Sequence, residues 1–267
     1  KARLNAYKSS GGKVEILIER KIDEYHVLAI TKSNRSIKQK DKLQIGNSSV
    51  TGEVLQKKGY LCLIKFSQNI QNVMEEYGAI PLPPYIDREP NQDDYHRYQT
   101  IYASNKKERS TAAPTAGLHF DLSILNAIKA KGVNLASVTL DIGLGTFKTI
   151  TENDFSKHQM HSENIYLSEK AAKLVNETIH SESRIISVGT TSLRCLESIY
   201  AKFGEVVPYK GETDIFIYPG FKFNVVDSLI TNFHLPKSTL LLLVSAFAGE
   251  DTIREAYRHA IENEYMF

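Results

Sequence analysis

The sequence predicts an α/β main domain that carries a small antiparallel β-barrel domain as an insertion. Short β-forming runs, separated by turn residues at regular intervals, fill residues 13–66, which is typical of a small closed barrel of five or six strands. After Pro84 the pattern changes to strands that alternate with helices, as in α/β domains. We therefore assign residues 12–80 to the barrel, and residues 1–11 and 81–267 to a discontinuous main domain.

The front of the chain is basic. Residues 1–65 carry 14 Lys and Arg against 6 Asp and Glu, whereas residues 66–267 carry 19 against 25. This asymmetry favours a polyanionic partner for the barrel, and solvated lysines that protect a strand edge are the alternative. One loop concentrates the positive charge, and we predict that it contacts phosphates through Lys38, Lys40 and Lys42.

Composition indicates a soluble globular protein, because 42% of the 267 residues are hydrophobic and 24% are charged. Cys62 and Cys195 lie far apart and outside any zinc-binding spacing, so we expect reduced thiols and a cytoplasmic location. The most apolar run, residues 240–248, is long enough only for a buried helix. We therefore expect no membrane association.

Four polar or glycine-rich stretches are the candidates for a binding site. The first, residues 110–120, has small residues that suit close approach to a ligand, and it ends at His119 before a predicted helix. A plain Pro/Gly connector with a structural His is the alternative. The other three stretches, residues 140–147, 188–194 and 231–239, each follow an apolar strand-like run. Because strand ends of an open α/β sheet share one edge, we expect a common pocket around Gly117, Gly143, Gly189 and Asn232.

Two regions, one within these stretches and one outside them, suggest particular chemistry. The turn at residues 189–192 joins a strand to a helix N-terminus, which predicts an anion site, with simple capping by Thr191 or Ser192 as the alternative. His158 and His161 have a spacing that permits a metal, but no further ligand motif accompanies them. A neutral His161 oriented by Glu163 explains the same residues equally well, and ordinary surface polarity is a third reading.

Long segments of the α/β part match a known family. They are AAPTAGLHF (112–120), TLDIGLGTF (139–147), MHSENI (160–165), VGTTSLRCLES (188–198), TDIFIYPGFKF (213–223) and LITNFHLPKSTLLLLVSAFAG (229–249). The chain closely resembles the S-adenosylmethionine:tRNA ribosyltransferase-isomerases of queuosine biosynthesis. It departs from them at Asp141, where the family usually has His, and at Arg109-Ser110-Thr111, where the family tends to have Gly-Ser-Val. The resemblance also implies a segment before residue 1 and a Ser-Tyr-Gly-Asp motif after residue 267.

The resemblance implies a transferase with S-adenosylmethionine as co-substrate and without a metal. Such enzymes move the ribosyl part of S-adenosylmethionine onto 7-aminomethyl-7-deazaguanine at the tRNA wobble position, and they release adenine and methionine. The tRNA carrying that base is then the partner, and the basic barrel loop becomes its binding surface. We expect the protein to act as a monomer.

We assign roles to residues of the four stretches, and to His161 and Glu163, on this basis. The candidates for proton transfer are His119, His161, Glu163, His234 and Asp141. The candidates for binding S-adenosylmethionine or the reacting base are Thr115, Gly117, Phe120, Gly143, Gly145, Thr146, Phe147, Gly189, Thr190, Thr191, Ser192, Arg194, Asn232, Phe233 and Lys237. Two other functions stay open: a metal-dependent hydrolase built on His158 and His161, and a noncatalytic tRNA- or RNA-binding module.

Overall fold

The structure is a computed structural model that describes residues 2–59, 61–82, 86, 88–103, 113–141, 160 and 162–265. These residues form two compact units. The first contains residues 2–98, and the second contains residues 99–103 together with the described residues from 113 onward.

The first unit is built on a closed barrel of six antiparallel strands in the order β1-β2-β3-β6-β5-β4. The strands are β1 (Arg3–Lys8), β2 (Lys13–Lys21), β3 (His26–Ser33), β4 (Lys42–Ile45), β5 (Thr51–Lys58) and β6 (Leu61–Phe66). Alternate side chains such as Leu4, Ile16, Val27 and Ile64 are buried inside the barrel. Helix α1 (Ile70–Tyr77) adds Ile70 and Val73 to this core, and a short helix, α2 (Asp94–Arg97), follows.

The predicted small antiparallel barrel is therefore confirmed. Strand β1 belongs to it, because Leu4 pairs with Ile16 of β2 and Ala6 pairs with Ile45 of β4, which closes the barrel. Residues 3–8 thus lie in a barrel strand, although the sequence placed residues 1–11 with the main domain. The predicted boundaries at residues 12 and 80 otherwise stay a prediction.

The second unit combines helices with two small sheets among its described residues. Strands β7 (Val138–Asp141), β8 (Glu163–Leu167) and β10 (Tyr209–Thr213) form an antiparallel sheet in the order β10-β8-β7. Strands β9 (Ile186–Val188) and β11 (Ser228–Ile230) form a parallel pair. The helices are a 3₁₀ helix (Thr115–His119), α3 (Leu122–Ala130), α4 (Glu169–His180), α5 (Thr190–Phe203), α6 (Thr239–Ala248) and α7 (Glu250–Glu262).

Helix α5 is the centre of this unit. It packs against β7, β9 and β10, and its Leu193 and Ile199 are buried in a core that also includes Ile165 and Leu243. The helix ends at Gly204, whose left-handed φ of 75° permits the chain to turn. The predicted α/β class, with strands followed by helices, is confirmed.

The β-forming runs at residues 214–218 and 223–226 predict two further strands in the sequence, and this prediction is wrong, because both segments are irregular in the structure. The buried carboxylate of Glu197 accepts hydrogen bonds from the backbone N–H groups of Asn224, Val225 and Val226, each at 3.0 Å. A side chain of α5 therefore satisfies the donors that a sheet would otherwise pair.

Candidate functional site

The parallel strands β9 and β11 bring two of the predicted stretches together. Val188 is in register with Ile230, and the N–H of Gly189 donates to the Ile230 carbonyl at 2.8 Å. Because the strands run in the same direction, residues 189–192 and 231–234 leave the same end of the pair. The expected convergence at a strand edge is therefore present for these two stretches.

The 3₁₀ helix brings a third stretch to the same place. Thr115 Oγ1 donates to Asn232 Oδ1 at 2.7 Å, and Asn232 Nδ2 lies 3.5 Å from Nε2 of the exposed His119. Since Thr115 occupies the amide oxygen, the amide N–H₂ of Asn232 faces the imidazole. The Asn232 amide can therefore donate to Nε2 of His119 when that nitrogen carries no proton.

Gly117 is needed for a close packing contact within the second unit. A Cβ at this position would lie 2.8 Å from Tyr102 Cζ and 2.9 Å from Thr100 Cγ2. Thr100 is buried, and its neighbour Tyr102 is partly exposed. The small residue therefore permits approach of this aromatic ring, and the sequence analysis missed both Thr100 and Tyr102 because neither belongs to a glycine-rich stretch.

Helix α5 begins at the end of β9 without a side-chain cap. Gly189 is its N-cap residue, with φ at 91°, and no side chain in the described part of the chain accepts a hydrogen bond from the first turn. The capping alternative for Thr191 or Ser192 is therefore wrong. The first-turn N–H groups and the positive end of the helix dipole are directed to the end of the β9–β11 pair, where an anion is favoured.

Glu163 and Arg194 form a buried ion pair. Arg194 Nη1 lies 2.6 Å from Glu163 Oε2, and only 2% and 1% of the two side chains are exposed. The pair joins the first residue of β8 to the second turn of α5, and Arg194 Nε also donates to the Ile215 carbonyl at 3.3 Å. Arg194 Nη2 is buried without a hydrogen-bond partner in the described part of the chain. Glu163 was predicted beside His161, which lies outside the described residues.

His234 is held as a neutral imidazole. Burial lowers the pKa of His234 to about 4. Its Nε2 lies 3.1 Å from Thr231 Oγ1, and its backbone N–H donates to the Tyr257 hydroxyl at 2.7 Å. The neighbouring Phe233 packs edge-on against Tyr257 with ring centroids 5.1 Å apart. Tyr257 of helix α7 therefore holds residues 233 and 234 in place, and the sequence did not indicate this contact.

Of the remaining predicted residues in the α/β part, three are described and the others lie outside the described residues. Asp141 is half-buried at the end of β7, with Asn164 of β8 opposite it. Lys237 is exposed at a left-handed φ of 58°, just before α6, and Phe120 ends the 3₁₀ helix. The residues that lie outside the described part are Gly143, Gly145, Thr146, Phe147, His158 and His161.

The barrel unit contains a basic cavity of about 410 Å³. Two of the three lysines predicted to contact phosphates, Lys38 and Lys42, line it, and Lys40 does not. The other lining residues are Lys8, Ser9, Ser10, Arg35, Ser36 and Asp41.

The described residues contain neither a candidate metal centre nor a helix suited to span a membrane. Neither unit has a group of three or more His, Cys, Asp and Glu side chains that could hold a metal, as far as its residues are described. None of the helices described above has both the length and the apolar composition to cross a membrane.

The two units define a class of protein: an antiparallel barrel with a basic cavity, joined in one chain to an α/β unit whose strand ends gather imidazole, amide and helix N-terminal groups. A family model described as "Queuosine biosynthesis protein" matches residues 1–267. The chain belongs to this family.

Curated relatives agree with that assignment. The S-adenosylmethionine:tRNA ribosyltransferase-isomerase of Francisella philomiragia is 47% identical over 272 residues, which cover 100% of this chain and 78% of the relative. The enzyme of the same name from Legionella pneumophila is 47% identical over 266 residues with the same coverage. A crystal structure of S-adenosylmethionine tRNA ribosyltransferase from Thermotoga maritima is 31% identical, covers 100% of this chain and 75% of that one, and has a TM-score of 0.48.

Proposed function

We propose that the chain transfers and isomerises the ribosyl moiety of S-adenosylmethionine onto 7-aminomethyl-7-deazaguanine at the tRNA wobble position. The products are epoxyqueuosine in tRNA, adenine and methionine. The relatives at 47% identity carry the name of this activity. The observation that supports a site for it in this chain is the link from His119 through Asn232 to Thr115, beside the start of α5.

The reaction needs proton transfer at three points. A base removes a proton from C5′ of S-adenosylmethionine, which the adjacent sulfonium acidifies, adenine leaves with help from an acid, and the attacking amine must be neutral. His119 is the first candidate for such transfer, because its imidazole is exposed and its Nε2 is directed to the Asn232 amide. Asn232 and Thr115 then act as positioning residues that orient the ring.

The other predicted proton carriers have different environments. Neutral His234, with a pKa of about 4, can accept or donate one hydrogen bond but does not carry a charge near neutral pH. Glu163 is tied to Arg194, which favours a structural role for its carboxylate. His161 and Asp141 stay candidates from the sequence alone.

The start of α5 is the proposed site for the carboxylate of the methionine part. The free N–H groups of its first turn and the helix dipole favour a carboxylate over a neutral group. Aromatic side chains near the strand ends, Phe120 and Phe233, are proposed to face the adenine ring or the sulfonium. The tRNA is proposed as the second substrate, and we expect a metal-free monomer in the cytoplasm.

Adenine release tests this function. Purified protein is incubated with S-adenosylmethionine and tRNA that carries 7-aminomethyl-7-deazaguanine, and adenine is measured by chromatography. We expect adenine in proportion to modified tRNA, and none with the same tRNA carrying guanine. Release that requires an added divalent metal would favour the metal-dependent hydrolase, and tight tRNA binding without release would favour the noncatalytic module.

A further inference from the structure

The basic cavity of the barrel unit has a fixed wall. Lys8 Nζ donates to the carbonyls of Arg35 and Ser36 at 3.2 and 3.0 Å, and it lies 3.5 Å from Asp41 Oδ2. Asp41 Oδ2 also accepts from the backbone N–H of Lys38 at 2.9 Å. Lys8 and Asp41 therefore hold the loop between β3 and β4 in place, and their charges compensate each other locally.

The same loop is anchored to the barrel at both ends. Ser33 Oγ donates to the Arg35 carbonyl at 2.7 Å, and the buried Ile37 has its carbonyl bound by Lys57 Nζ at 3.0 Å. The backbone N–H of Lys40 donates to the Val54 carbonyl at 2.7 Å. A loop held in this way presents its side chains with little ordering cost on binding.

Three cations of the cavity lack a compensating charge. Arg35, Lys38 and Lys42 are exposed, and none of them forms an ion pair with a described residue. Ser9, Ser10 and Ser36 also line the cavity and bring hydroxyl groups to it. The cavity thus combines cationic groups with hydroxyl donors, which is the set that phosphate oxygens accept from.

The lining also excludes some ligands. None of its residues is aromatic or aliphatic, so it offers no aromatic stacking surface and no aliphatic pocket for an apolar group. The lining therefore favours an anionic and polar ligand. The phosphodiester backbone of RNA meets this requirement, and contacts of this kind set position without reading sequence.

We infer that this cavity is a binding site for the phosphodiester backbone of the tRNA, formed by Arg35, Lys38 and Lys42 on a frame held by Lys8 and Asp41. The choice of tRNA as occupant rests on the proposed function, whereas the preference of the cavity for an anionic ligand does not. The site is independent of Lys40, whose side chain is not part of the lining. Free inorganic phosphate shares the chemistry and is the competing occupant.

The experiment compares two variants of the full chain that lose the same charge. The cavity variant is Arg35→Ala/Lys38→Ala/Lys42→Ala, and the control variant is Arg20→Ala/Lys58→Ala/Lys65→Ala, which removes exposed cations of the barrel outside the cavity. The affinity for tRNA is measured by fluorescence anisotropy at several salt concentrations, and circular dichroism checks that both variants are folded. Adenine release by the wild type is measured separately.

We expect the cavity variant to bind tRNA on the order of tenfold more weakly at low salt. The slope of log affinity against log salt concentration should decrease in magnitude by about two to three. The control variant and Lys40→Ala should stay close to the wild type. Equal loss in the cavity and control variants, or no loss in either, would overturn the site. So would tight binding of inorganic phosphate to the wild type combined with unchanged tRNA affinity in the cavity variant.

The two proposals fail separately. If the wild type releases adenine but the cavity variant binds tRNA normally, only the cavity assignment is wrong. If the wild type binds tRNA through the cavity but releases no adenine, the proposed function is wrong and the RNA site stands.

Discussion

Thr115 and Asn232 are joined by a hydrogen bond of 2.7 Å although 117 positions separate them in the sequence. The bond sets the orientation of the Asn232 amide, because the hydroxyl of Thr115 occupies the oxygen and leaves the N–H₂ group to His119. One hydrogen-bonded chain thus connects the 3₁₀ helix to the segment after β11. It also places the Asn232 amide nitrogen beside the imidazole that we propose to transfer protons.

Thr115→Val should disrupt the hydrogen bonds that link Thr115, Asn232 and His119. Valine keeps the shape but removes the donor, so the Asn232 amide can reverse and present its oxygen to His119. We expect turnover to fall on the order of tenfold with little change in KM, because orientation matters most in the transition state. Thr115→Ser restores the hydroxyl and should recover most of the loss. Failure of this rescue would make the role of Thr115 one of packing.

Gly117→Ala should destabilise the second unit. The new Cβ would meet the Tyr102 ring and the Thr100 side chain below 3 Å, and overpacking of this kind costs about 1–3 kcal/mol in the free energy of unfolding. Tyr102→Ala removes the ring and should reduce the penalty when combined with Gly117→Ala. Urea unfolding of the two single variants and the double variant measures the coupling. Additive effects would show that the two residues do not share this contact.

Breaking the Glu163–Arg194 pair should be costly. Glu163→Gln leaves the guanidinium of Arg194 buried without a counter-charge, and we expect a loss of about 3–5 kcal/mol in the free energy of unfolding. The double variant Glu163→Leu/Arg194→Met removes both charges and should restore most of the lost free energy of unfolding. The exposed pair Lys173–Glu177, with 3.8 Å between its charged atoms, is the control, and Lys173→Ala should cost less than about 0.5 kcal/mol. Equal costs for the two pairs would contradict the burial of Arg194.

His234 should make stability depend on pH. Its pKa is about 4 in the folded protein and 6.5 without the surroundings of the fold, so the unfolded chain binds a proton first as the pH falls. The free energy of unfolding should decrease between about pH 6.5 and pH 4 and show no contribution from this group above that range. His234→Gln, which cannot titrate, should flatten the curve over that window relative to the wild type. Parallel curves for the two proteins would show that His234 is not held neutral.

The sequence predicted the barrel and the main helices well, because their signals are local. Alternating burial in β2 and β3, and caps such as Ser168 before α4 and Gly204 after α5, are determined by neighbouring residues. The convergence of residues 189–192 and 231–234 also followed from a general rule about strand ends. Contacts between distant side chains could not be predicted in this way.

Three distant contacts illustrate the difference. Glu197 accepts from the backbone at residues 224–226, where the sequence predicts a strand, and Arg194 pairs with Glu163, which the sequence had assigned to His161. Tyr257 of α7 binds the backbone of His234. In each case the partner of the polar group lies in a distant segment. The packing of separate helices and strands brings the two together, and the local sequence around either residue does not indicate it.

The most direct test of the proposed site is the turnover of purified His119→Asn. Asparagine keeps a donor and an acceptor for the Asn232 amide but cannot transfer protons near neutral pH. With saturating S-adenosylmethionine and modified tRNA, and with the fold verified, we expect adenine release to fall by roughly two to four orders of magnitude while substrate binding changes far less. Turnover close to that of the wild type would contradict the account and remove His119 from the proton-transfer chemistry.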